Sequence, residues 1–68
     1  MTPILKALES QYKADIEKAK ANIDVYINNA AGIGEHPDLV ESVDTQIQKL
    51  TDAEDKLTTI RHFYGNEL

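Results

Sequence analysis

The segment Ala30-Ala31-Gly32-Ile33-Gly34-Glu35-His36-Pro37 lies near the middle of the chain and separates two apolar-periodic stretches of nearly equal length. Glycine admits left-handed backbone, and proline inside a helix removes a hydrogen bond and clashes with the preceding turn, so a single helix does not run through this segment. The expected fold is an all-α antiparallel two-helix hairpin, with helices at about 3 to 31 and 37 to 64 and a turn at about 32 to 36. Two helices share only one seam, which leaves apolar surface in need of a partner. Association of hairpins into a four-helix bundle is therefore expected.

The first stretch is well marked at its start. Thr2-Pro3 reads as a helix cap followed by proline at the first helical position, where the missing N–H costs nothing. From there Leu5, Leu8, Tyr12, Ile16, Ala19, Ile23, Ile27 and Ala30 recur at spacings of three and four and make one apolar stripe. Their cadence predicts a helix that is nearly straight rather than wound on a strict heptad. Ala7, Ala14, Ala21 and Val25 fall almost opposite, either as plain helix formers or as a second, small-residue packing face. Gly32 suits the left-handed position after the helix end, with Ile33 folding back on the last turn and Gly34 allowing the reversal.

The second stretch keeps a truer heptad. Val43, Leu50, Leu57 and Tyr64 recur every seven residues, flanked by Leu39, Ala53 and Ile60 on one side and by Val40 and Ile47 on the other. Pro37 fits the first helical position, with Asp38 and Glu41 placing negative charge in the first turn, and Gly65-Asn66 closes the helix. The association seam drawn from both stretches comprises Leu5, Leu8, Tyr12, Ile16, Ile23, Ile27, Val43, Ile47, Leu50, Leu57, Ile60 and Tyr64. Continuing the Val40-Ile47 flank reaches Glu54 and Arg61, two charges at the edge of the seam. They are either a register-setting interface pair or partly exposed side chains that snorkel to water. Phe63 falls off the stripe near the C-terminus, as a cap over a partner helix or as part of a recognition patch.

A 68-residue chain without cysteine lacks disulfides and thiolate zinc sites as means of stabilising a small core, and oligomerisation is the means that remains. The expected state is a homodimer or tetramer, with a further protein as a partner. Net charge is −5, and the excess is local: the region 35–68 holds eight acids against Lys49, Lys56 and Arg61. This opposes a phosphate-neutralising surface and leaves either a solvated face or an acidic surface for a basic partner. No apolar run approaches the roughly 18 residues of a membrane span, and the first residues lack a secretory-signal pattern, so no membrane contact and a cytoplasmic location are expected.

No constellation carries catalytic or cofactor chemistry. Gly32-Ile33-Gly34 lacks both the preceding strand and the third glycine of a dinucleotide loop. His36 and His62 fall at opposite ends of an antiparallel pair, which rules out a two-histidine site within one hairpin. Asp52, Glu54 and Asp55 project in different directions on a helix, and the spacings Asp52 to Lys56 and Glu9 to Lys13 fit ordinary i,i+4 ion pairs. No catalytic, cofactor or metal residue is assigned, no cofactor is expected, and the chain reads as a non-enzymatic protein.

The run Pro3-Ile4-Leu5-Lys6-Ala7-Leu8-Glu9, together with Gly32-Ile33-Gly34-Glu35-His36-Pro37-Asp38-Leu39, resembles small helical proteins of unknown role from large tailed marine phages of the cyanophage type. The resemblance implies a product made in the host cytoplasm during infection and transfers no functional residue. In size and design the chain is also similar to the RNA-binding plasmid hairpin protein Rop, which pairs into a four-helix bundle, but it lacks a basic face with an aromatic platform. The leading functional expectation is a self-associating interaction protein that engages a host or virion protein. The alternative is a nucleic-acid or transcription-associated regulator acting through Lys6, Lys13 and Lys20, which share one rough face.

Overall fold

The computed structural model describes residues 2–28 and 38–68. They form two α-helices, α1 (Thr2–Asn28) and α2 (Leu39–Tyr64), followed by a short 3-10 turn at Gly65–Glu67, and contain no strand. Ala30, the expected turn at 32–36 and Pro37 lie outside the described residues. Beyond Pro3, α1 contains neither glycine nor proline and is rich in Ala, Lys, Glu and Leu, all of which lose little on entering a helix.

The second helix starts slightly later than the proline pattern suggests. Asp38 is extended (φ −139°, ψ 94°), and its side chain accepts the Glu41 N–H at 2.9 Å, so Asp38 is the cap itself rather than a charge within the first turn. The Ser42 N–H and hydroxyl both donate to the Asp38 carbonyl, at 3.1 and 2.9 Å. A short carboxylate one step outside the helix satisfies amides that the first turn leaves without intrahelical acceptors. At the other end Gly65 keeps right-handed geometry (φ −55°, ψ −32°), and the chain tightens into the 3-10 turn, with Leu68 N–H donating to the Gly65 carbonyl at 3.3 Å.

Three cross-helix contacts establish an antiparallel register. Glu9 meets Arg61, Tyr12 lies under Lys56, and Asn22 meets Gln46, so positions rise along α1 as they fall along α2. The buried residues are Leu5, Ala19, Ala53, Leu57 and Ile60. Ala19 (2% exposed) and Ala53 (4%) are the most enclosed, which places two of the smallest side chains at the midpoint of the seam. The molecule measures 46 × 15 × 15 Å, with a radius of gyration of 15.0 Å. A globular chain of this length would have a radius of about 11 Å, so the hairpin is a rod with a seam rather than a body with an interior.

Candidate functional site

With a single seam between α1 and α2, most of the described surface belongs to outer faces, and these differ in character. On α2, Ala53, Leu57 and Ile60 turn fully inward, while Leu39, Val43, Gln46 and Leu50 are half-buried beside them. The remaining flank, Val40, Ile47, Glu54 and Arg61, repeats every seven residues along one edge of the hairpin. Its first half is apolar and open, with Val40 82% exposed. Leu39, Val40, Val43, Asp44 and Ile47 line a shallow, mainly apolar depression of about 420 Å³ there. Ile27, 66% exposed at the facing end of α1, adds to the uncovered apolar surface at this end of the rod.

The second half of the same edge is charged. Arg61 Nε donates to Glu9 Oε2 at 3.4 Å, and the other oxygen of that carboxylate faces Lys13 Nζ at 3.9 Å. Glu54 precedes Arg61 on this flank by two helical turns, too far for the two to meet within one helix, and the arginine instead finds its partner on α1. The i,i+4 pair Glu9 with Lys13 forms, whereas Asp52 accepts from Gln48 Nε2 at 2.9 Å and Lys56 sits 5.8 Å from the Tyr12 ring centre.

The opposite groove has a different character. Asp15, Lys18, Gln46, Lys49, Asp52 and Lys56 surround a cleft of about 330 Å³ floored by Ala19 and Ala53. Its charges are mixed and solvated, suited neither to proton transfer in a dry pocket nor to a single-sign ligand. Among the described residues no three His, Cys, Asp or Glu side chains group as a metal site would require. Of the lysines expected to share a face, Lys13 pairs with Glu9 and Lys20 with Glu17 at 3.6 Å.

The seam residues named from the sequence divide into two groups. Leu5, Leu57 and Ile60 are buried, and Leu8, Tyr12, Ile16, Ile23, Val43 and Leu50 are half-buried within the hairpin. Ile27, Ile47 and Tyr64 remain exposed, Tyr64 by 48%. Phe63 is 70% exposed, its ring edge-on to His62 with centroids 4.6 Å apart. Ala7, Ala14 and Ala21 are exposed on the side of α1 away from α2.

The pattern reading passed over one pair. Asn22 Nδ2 donates to Gln46 Oε1 at 3.1 Å, partly buried across the seam. The signal was present, because Leu39, Gln46, Ala53 and Ile60 recur every seven residues and the glutamine is the one polar member of that inward column. No protein-family model, curated protein or solved structure matches the chain.

Proposed function

We propose that this chain is a non-enzymatic, self-associating helical interaction protein, whose hairpins pair into a four-helix bundle and present acidic helices to another protein. One observation carries the reading: Ile4, Val25, Ile27, Val40, Ile47 and Phe63 stay exposed on a hairpin that fully buries no large side chain among the described residues. The accessible surface is 5042 Å², against about 4,300 Å² for a globular monomer of this mass. Val40 and Ile47 are open to solvent and line an apolar depression with Leu39 and Val43, the kind of contiguous apolar surface that accompanies association. The resemblance of the helix start and turn to marine phage proteins supports an accessory product made in the infected host, with a host or virion protein as the further partner.

Light scattering coupled to size-exclusion chromatography, run over a concentration series with circular dichroism, tests the reading. A helical dimer or tetramer supports it. A fully helical monomer at every concentration overturns it, because the exposed apolar surface would then be tolerated in water. A poorly helical monomer overturns self-association and assigns the missing half of the core to a different protein.

A further inference from the structure

Resting on the self-association reading, we infer that the second copy docks on the edge carrying Val40, Ile47, Glu54 and Arg61, with the α1-to-α2 connections of both hairpins at the same end of the bundle. The area fits this occupant. Two separate hairpins at 5042 Å² each expose about 3,000 Å² more than one globular body of twice the mass, which lies in the range that obligate homodimers bury.

Orientation follows from how that edge is divided. Its half nearest the connection is apolar, and its far half carries Glu9, Lys13, Glu54 and Arg61, two charges of each sign. With connections at the same end, α2 of one copy lies antiparallel to α1 of the other, in the register the hairpin already uses. Val40 and Ile47 then meet the partner's Ile27 end of α1, Glu54 comes level with the partner's Lys13, and Arg61 with the partner's Glu9. With connections at opposite ends, α2 faces α2, and Val40 and Ile47 fall against the partner's Arg61 and Glu54. That arrangement sets Glu54 and the in-chain Glu9–Arg61 pair against aliphatic surface, a desolvation cost that two-fold symmetry doubles.

The chain has no native cysteine, so one spin label at Thr2→Cys, an exposed site at the far end from the connection, reports orientation by pulsed electron resonance. Connections at the same end bring the two labels within about 30 Å across a bundle of ordinary helix spacing. Opposite ends separate them by about the 46 Å length of the rod, and a dimer with that distance overturns the inference while leaving self-association intact. A monomer overturns the reading beneath it as well. Val40→Glu with Ile47→Glu locates the face: at least a hundredfold weaker dimerisation is expected, whereas Phe63→Glu, on the other flank, leaves the mass unchanged. A double variant that dimerises like the parent, or a Phe63→Glu chain that does not dimerise, removes this edge as the interface.

Discussion

Asp38 shows how much one side chain does at the start of a helix in so small a protein. Its carboxylate takes the Glu41 amide at 2.9 Å, and its carbonyl anchors Ser42 twice, so the first turn of α2 is held from outside the helix. Asp38→Ala is expected to cost about 1 kcal/mol, read as a lower denaturant midpoint by circular dichroism, with Asp38→Asn retaining most of the stability. Ala53 acts through its size. It is 4% exposed and floors the groove between the helices together with Ala19, so the longer side chain of Ala53→Leu is crowded wherever it turns toward α1. An overpacking cost of about 1–3 kcal/mol is expected in the same unfolding assay, and unchanged stability would show that the helices part freely there. The cap function of Asp38 was not legible in a pattern that read Pro37 as the first helical residue. A cap depends on an extended backbone conformation, and composition does not encode that geometry locally.

At the level of the helices, the inward faces of α1 and α2 follow the 3.6-residue period, and most residues expected in the seam are buried or half-buried there. The period does not say which of two apolar flanks turns inward. Ala53 and Ile60 lie inward with Leu39 half-buried beside them, whereas Val40 and Ile47 stay exposed. Asn22 and Gln46 interrupt the seam with an amide pair at 3.1 Å. Such a pair has paid its own desolvation and gives specificity rather than strength, since any shift in register leaves both amides without a partner. Replacing both with leucine is expected to raise the thermal midpoint while allowing more than one assembly, visible as mixed masses by light scattering. A single unchanged mass would show that register is held elsewhere, with the Glu9, Lys13 and Arg61 cluster as the remaining device.

The whole molecule is a rod 46 Å long and 15 Å across. If folding and assembly are coupled, the unfolding midpoint rises with protein concentration, as mass action requires. A series spanning two decades of concentration is expected to shift it by several degrees, and a midpoint independent of concentration would separate the hairpin's stability from self-association. The sequence alone indicated two helical stretches, and the described residues form helices at Thr2–Asn28 and Leu39–Tyr64. Those properties are local: they follow from helical period, glycine and proline placement, and residue chemistry at short spacing. Only the tertiary structure decided that Arg61 meets Glu9 of α1, that Gln46 belongs inside, and that apolar and charged halves share one outer edge. Each of these depends on the rotation of one helix against the other, which packing between residues distant in the chain sets and which a one-dimensional pattern does not contain.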